Sequence, residues 1–125
     1  KIGKKLKTLG EIMDTDIPII QSNSSIIDAV LVMTEKKYGC VVVLDKRKLI
    51  KGIITDGDLR RSIAKIDMKE KATSIMESRP IVVNSDLLIS SAIILMNKHS
   101  ITSLIIVNQN KPIGIVNIKK CLEND

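Results

Sequence analysis

Residues 52–61 read GIITDGDLRR, and residues 114–120 read GIVNIKK. Each stretch opens with a glycine, continues with two β-branched residues and then reaches a polar side chain. That order is typical of a buried strand that ends where a helix begins. The two stretches start 62 positions apart. An internal repeat is therefore the feature that decides the fold.

Further landmarks recur outward from these stretches in the same order. The pairs are, by residue number, 12–13 with 75–76 (IM, IM), 18–20 with 80–82 (PII, PIV), 29–33 with 92–96 (AVLVM, AIILM) and 40–44 with 103–107 (CVVVL, SLIIV). The spacing slips by only one residue between landmarks, so the chain consists of two copies of one unit.

Each copy is predicted to run strand, helix, strand, strand, helix. Short apolar or β-branched runs indicate the strands, and apolar residues at helical spacing indicate the longer helix. Asn23, Ser24 and Ser25 are expected to cap the longer helix of the first copy, as Ser85 and Asp86 are in the second. The other expected elements are strands at 17–20, 41–43, 50–55, 105–107 and 112–117 and closing helices at 58–65 and 118–122.

One such unit cannot cover both of its apolar faces, whereas two copies packed together can. We therefore predict a mixed α+β fold with two β-α-β-β-α repeats related by a pseudo-twofold axis. Matching clefts between the copies are the expected sites for small molecules. The expected boundaries are a linker from a missing N-terminal domain at 1–10, the first copy at 11–65, a connector at 66–73 and the second copy at 74–125.

Composition excludes several classes of function. The 125 residues carry a net charge of +6 but include a single aromatic residue, which disfavours stacking on single-stranded nucleic acid. The lysines are scattered, and the densest group (Lys1, Lys4, Lys5, Lys7) is interpreted as solvated. We expect no nucleic-acid partner. Apolar runs are too short to cross a bilayer and no signal peptide is recognised, so a cytoplasmic location without membrane attachment is expected.

Catalytic signatures are also missing from the sequence. His99 is the only histidine, and no nucleophile lies beside a base. Cys40 and Cys121 lack metal-type spacing and are expected to be buried thiols. We therefore predict no catalytic residue, no metal site and no cofactor in this chain.

The segment around Thr55 carries the candidate binding chemistry. Thr55 can cap the following helix and donate to an anion, which the first-turn N–H groups also favour. Asp58 offers acceptors to adjacent hydroxyls, as on a ribose, and Arg60 or Arg61 can add bonds to a phosphate or carboxylate. Ordinary helix capping by Thr55 and Asp58 is the alternative.

The paired units, each with a glycine, two apolar residues, a hydroxyl position and then a carboxylate position, resemble CBS motifs over nearly the whole chain. The resemblance implies that Thr55 contacts a ligand phosphate and that Asp58 holds ribose hydroxyls. It also implies that the base lies against the first strand of the same copy, at Ile17, Pro18 and Ile19. The other copy would contribute the start of its central strand, at Thr102 and Ser103.

Residues KGIITDGDLRR, together with GKKL at 3–6 and Ile101-Thr102-Ser103, are similar to the C-terminal CBS pair of arabinose-5-phosphate isomerases. That resemblance implies a regulatory module attached to a sugar-isomerase domain of lipopolysaccharide (Kdo) synthesis. The implied ligand is a nucleotide or nucleotide-sugar, with CMP-Kdo or an adenine nucleotide as candidates, and the implied assembly is a homodimer. An oligomerisation scaffold without ligand, or the CBS pair of a sugar nucleotidyltransferase, are the alternatives.

The second copy departs from the pattern. Asn117 stands at the hydroxyl position and Lys120 at the carboxylate position. An ammonium group cannot accept a hydrogen bond from ribose. One working cleft is therefore expected. His99 lies one residue further from Ile101 than the family pattern has it, and is interpreted as an exposed residue at a helix end.

Overall fold

The computed structural model describes residues 6–65 and 67–125. The first copy contains α1 (Leu9–Ile12), β1 (Ile19–Gln21), α2 (Ile26–Lys36), β2 (Cys40–Leu44), β3 (Ile50–Thr55) and α3 (Asp56–Ser62). A 3₁₀ turn (Ala72–Ser74) leads into β4 (Val82–Val83), α4 (Ile89–His99), β5 (Ser103–Asn108), β6 (Lys111–Asn117) and α5 (Ile118–Asn124).

Two three-stranded sheets, in the orders β1-β2-β3 and β4-β5-β6, form the framework. In each sheet the first strand is parallel to the middle strand, and the middle strand is antiparallel to the third. The registers match between the copies, since Val42 pairs with Ile53 and Ile105 pairs with Ile115. The predicted mixed α+β pair of β-α-β-β-α repeats is therefore confirmed.

Alternation along the strands explains where the core lies. Val42 and Ile53 of the first sheet share a buried cluster with Ile105 and Ile115 of the second, so the two sheets pack face to face. The intervening residues point the other way. Val41 and Val43 pack with Ala29 and Met33 of α2, and the second copy repeats this arrangement beneath α4.

The segment that leads into each copy packs on the other copy. Leu9 is fully buried in the cluster of the second copy, while Ala72 is fully buried in that of the first. Backbone hydrogen bonds fix both segments: Asp14 exchanges a pair with Ile115 (both 2.9 Å), and Glu77 exchanges a pair with Ile53 (2.8 and 3.0 Å). We call residues 9–14 and 72–77 the exchanged lead segments, and the pseudo-twofold axis relates these two segments as well as the two sheets.

This exchange bears on the expected linker and connector. Residues 1–5, which include most of the lysine-rich group and Gly3, Lys4 and Lys5 of the GKKL stretch, lie outside the described residues, as does Ile66. Within the described part, Thr8 begins α1 with a capping box, and its neighbour Leu9 is buried. Packed structure therefore starts inside the expected linker, and Ala72 places it inside the expected connector too. The domain boundaries themselves stay predictions.

Two helix starts differ from expectation. Ser25 caps α2 as predicted, accepting from the Asp28 N–H at 3.2 Å. Ser85 and Asp86 do not cap α4, whose N-cap is Leu88 without a side-chain bond. Leu88 matches Ser25 at the repeat offset of 63, so α4 begins where α2 does, and Ser85 and Asp86 lie too early in the chain to cap it. The closing helix of the first copy also begins at Asp56, two residues earlier than expected.

None of the helices in residues 6–65 and 67–125 combines the length and the apolar character that a bilayer span requires.

Candidate functional site

A cavity of about 620 Å³ opens where the two copies meet. Its first-copy wall contains the end of β3 and the start of α3, including Thr55, Asp56, Arg60 and Arg61. Its second-copy wall contains the segment before β4, with Arg79 and Pro80, and the turn from α4 into β5, with Thr102 and Ser103. Such a junction, with apolar strand residues and several polar groups, has the character of a small-molecule site.

Thr55 and Asp58 form a reciprocal capping box at the start of α3. The Thr55 hydroxyl accepts from the Asp58 N–H at 3.2 Å, and Asp58 Oδ2 accepts from the Thr55 N–H at 2.9 Å. The hydroxyl also donates to Asp58 Oδ2 at 3.1 Å. The capping alternative is therefore realised in full. A bound anion that accepts a hydrogen bond from the Thr55 hydroxyl would have to replace Asp58 as the acceptor, because the hydroxyl has a single hydrogen to donate.

Arg61 completes this network. Its Nη2 donates to Asp58 Oδ1 at 2.8 Å across one turn of α3. The Asp58 side chain is only 18 % exposed, whereas that of Arg61 is 70 % exposed. Thr55 and Arg61 line the cavity directly, while Asp58 is joined to it through both of them. A carboxylate has further lone pairs, so Asp58 can accept from a ligand hydroxyl without releasing Arg61.

Thr102 and Ser103 line the same cavity as Thr55. Gly39 and Cys40, which match them in the first copy, also line it. Ser103 occupies in the second copy the place that Cys40 occupies in the first, and its hydroxyl lies near the Cys40 thiol. Burial raises the pKa of the Cys40 thiol to about 12, although the Ser103 hydroxyl acts to lower it, and nearby Asp56 adds to the rise. Cys40 is thus a protonated wall residue.

Ile17, Pro18 and Ile19 do not line this cavity. Ile17 and Ile19 pack instead against the buried cluster between the sheets. The wall opposite Thr55 comes from the second copy, through Arg79, Pro80 and Ile81. The exchanged lead segment is the reason, because the Glu77–Ile53 backbone pair places the chain before β4 beside β3 of the first copy.

Glu77 and Arg79 line this cavity, although their local sequence gives no binding signal, while contact of residues 17–19 with a ligand stays a prediction. A usable signal exists: Pro80 matches Pro18 in the repeat, so the expected contacts of residues 17–19 transfer to residues 79–81. The cavity also includes His99, the exposed last residue of α4, which had been interpreted without a ligand role.

The corresponding helix start in the second copy is a cap as well. Asn117 Oδ1 accepts from the Lys120 N–H at 2.8 Å at the beginning of α5. Asn117 thus reproduces the structural part of the role of Thr55, without a hydroxyl that could donate to an anion. Residue 120 carries an ammonium where Asp58 carries its carboxylate.

A shallower groove of about 320 Å³ adjoins the main cavity, with which it shares Gly39 and Asp56. Its other walls include Lys37 and Tyr38 from the end of α2. The Tyr38 hydroxyl donates to Asp14 Oδ2 at 3.3 Å. Partial burial and the adjacent Asp14 carboxylate raise the pKa of Tyr38 to about 12.

Comparisons with known proteins agree with this architecture. The chain is 37 % identical over 123 residues to an uncharacterized protein of Rickettsia prowazekii, covering 97 % of this chain and 39 % of that one. It is 35 % identical over 121 residues to the arabinose 5-phosphate isomerase KpsF of Escherichia coli, covering 94 % and 37 %. The chain thus spans about two fifths of the length of these curated relatives.

Among solved structures, the CBS domain pair of protein MJ0100, in complex with 5′-methylthioadenosine and S-adenosyl-L-methionine, superposes with a TM-score of 0.85 at 21 % identity, covering 96 % of both chains. The family model for the CBS domain matches residues 9–65 and again residues 72–124. Both matches begin at the exchanged lead segments, Leu9 and Ala72. This chain therefore belongs to the CBS domain family, of which it carries two copies.

Proposed function

We propose that the cavity at Thr55 binds a nucleotide or nucleotide-sugar, and that the pair controls an arabinose-5-phosphate isomerase domain in the same protein. CMP-Kdo and adenine nucleotides are the candidate ligands. The chain itself is proposed to be non-catalytic. Its role would be to couple the ligand to the isomerase by binding more tightly in one arrangement of the attached domains.

The observation that carries the proposal is the convergence of Thr55, Thr102 and Ser103 on one cavity between the copies. Hydroxyl groups from both copies are suited to phosphate oxygens. Pro80 and Ile81 supply an apolar surface for a base. Asp58 supplies acceptors for ribose hydroxyls through its remaining lone pairs.

The relatives support the ligand class and the attached enzyme. The MJ0100 pair is described with adenosine-derived ligands, and KpsF is named as an arabinose 5-phosphate isomerase. Because this chain spans about two fifths of that isomerase, the remaining part would hold the sugar-phosphate chemistry.

A thermal-shift screen with CMP-Kdo, CMP, AMP, ATP and sugar phosphates tests the proposal. A ligand present at a hundred times its Kd adds about 2.7 kcal/mol to the free energy of unfolding. Thr55→Ala and Asp58→Ala should abolish that gain. Asn117→Ala is the matched control, since it removes an equivalent cap from α5 without touching the cavity. Equal ligand shifts in Thr55→Ala and Asn117→Ala would refute the site.

A second candidate function is that of an oligomerisation module. Leu31 on α2 and Ile94 on α4 occupy equivalent positions in the two copies and are 62 % and 68 % exposed, with Ile27 beside Leu31. Apolar side chains that recur on the outer helices favour association of two pairs into a homodimer. Sedimentation of Leu31→Glu and Ile94→Glu variants tests this, and a chain that is a monomer before substitution would contradict it.

A further inference from the structure

Three arginines line the cavity at positions that the fold does not require to be basic. Arg60, Arg61 and Arg79 correspond, at the repeat spacing of 62, to Leu122, Glu123 and Ile17. The matching residues lie at the equivalent places in the other copy, and none of them is basic. The shared architecture therefore does not account for these three arginines, and their place in the cavity wall suits a role in ligand binding.

The three arginines differ in whether their guanidinium group already has a partner within the chain. Arg61 is held by Asp58, as described above. Within residues 6–65 and 67–125, Arg60 and Arg79 form neither an ion pair nor a side-chain hydrogen bond, and both are exposed. Their guanidinium groups are thus available for an external partner. A guanidinium group is suited to phosphate or carboxylate because its donors match two oxygens at once.

Arg60 and Arg79 come from different copies. Arg60 lies on α3, whereas Arg79 lies on the exchanged segment that Glu77 attaches to Ile53. Asp56 and Glu77 also line the cavity, and Asp58 neutralises Arg61, so the net charge of the wall is balanced. The unpaired guanidinium groups of Arg60 and Arg79 are therefore the feature that favours an anionic group on the ligand.

We propose that Arg60 and Arg79 bind the outer anionic group of the ligand from the two copies, so that the site selects nucleotides with a second anionic group beyond the α-phosphate. This inference rests on the proposed function and specifies its ligand class. The outer group is a terminal phosphate or the carboxylate of an acidic sugar, which share the same oxygen geometry. Nucleosides and 5′-methylthioadenosine lack that group, and S-adenosylmethionine carries its carboxylate beside an ammonium and a sulfonium, so all of them are expected to bind weakly here.

Titration calorimetry with a graded series tests the proposal: adenosine, AMP, ADP and ATP, then cytidine, CMP, CDP and CMP-Kdo. Affinity is expected to rise when an anionic group is added beyond the α-phosphate, in whichever series binds. Arg79→Gln should weaken ADP, CDP or CMP-Kdo about tenfold or more, which is the effect of losing a charge-assisted hydrogen bond. It should leave the matching nucleoside unchanged. Comparison of CDP with CMP-Kdo distinguishes a phosphate from a sugar carboxylate.

Arg47→Gln is the matched control, because Arg47 is an exposed arginine in the turn between β2 and β3, outside the cavity. Arg60→Gln should weaken diphosphate binding as much as Arg79→Gln does, because both guanidinium groups are proposed to bind the same anionic group. Wild-type binding of nucleosides and diphosphates with equal affinity would overturn the proposal and leave the nucleotide site standing. Undiminished diphosphate binding by Arg79→Gln would also overturn it. Binding of no nucleotide at all would overturn the proposed function itself.

Discussion

Met76 lies directly over Gly52. A Cβ atom added at Gly52 would stand 2.8 Å from the Met76 sulfur and 2.6 Å from the Glu77 carbonyl oxygen. The other copy repeats this contact, since a Cβ at Gly114 would overlap the side chain of Met13. The glycine that opens each repeated stretch is therefore the place where the exchanged lead segment crosses the sheet, and a side chain there would push that segment away.

Replacement of either glycine should destabilise the fold. Gly52→Ala and Gly114→Ala are expected to lower the free energy of unfolding by about 1–3 kcal/mol, the usual cost of overpacking. Urea denaturation followed by circular dichroism measures the change. Gly57→Ala is the control, because its added methyl group would meet only the flexible end of Arg61. Equal stability of Gly52→Ala and Gly57→Ala would contradict the close approach.

The two long helices should respond differently to loss of the residues expected to cap them. Ser25→Ala removes an observed cap and should cost about 1 kcal/mol. Asp86→Ala should cost much less, because Asp86 is exposed and makes no capping bond to α4. Denaturation of the two variants side by side tests this, and a larger loss in Asp86→Ala would show that α4 is capped after all.

Alkaline pH should destabilise the protein through Cys40 and Tyr38. Both groups have a pKa of about 12 in the folded chain, above ordinary values of 9.0 and 10.0. The unfolded chain therefore releases these protons first, and stability that is complete below pH 9 declines as the pH rises toward 12. Urea midpoints at pH 7.5–10.5 measure the decline. Cys40→Ala combined with Tyr38→Phe should flatten it; an unchanged slope would assign the effect to other groups.

The thiols should be inert in the folded protein. Cys40 is 5 % exposed and Cys121 is fully buried, and burial raises the pKa of both. Because the thiolate is the reactive form, an aromatic disulfide reagent should label them slowly until denaturant is added. Cys40 lines the cavity and Cys121 does not, so a bound nucleotide should further slow the labelling of Cys40 in a Cys121→Ala variant. Acceleration by the nucleotide would contradict the proposed location.

Local patterns in the sequence were sufficient to predict most of the framework. Strand β3 (Ile50–Thr55) has the predicted bounds because its β-branched run stops at a residue that favours a helix cap. The start of α4 was predicted wrongly at Ser85, because capping residue types occur there whereas the helix begins at Leu88, which has no capping side chain. Only the repeat spacing, which matches Leu88 with Ser25, indicates that position.

The candidate site was predictable only where its contacts are local in sequence. Thr55 and Asp58 are adjacent to a recognisable strand end, and their mutual hydrogen bonds are local. Arg79 was not predictable from its neighbours, because its position beside Thr55 depends on the crossing of two copies. The apolar character of Leu9 likewise indicates burial without indicating which sheet it covers.

The exchanged lead segments have a consequence for how such a chain unfolds. A half cut between the copies would keep its sheet but lose the strip that covers it, leaving the pocket for Leu9 or Ala72 vacant. The halves should therefore melt in a single transition rather than one after the other. A protein with a single copy could meet the same need only by exchanging its N-terminal segment with a second molecule, so the pair has the packing of an intertwined dimer within one polypeptide.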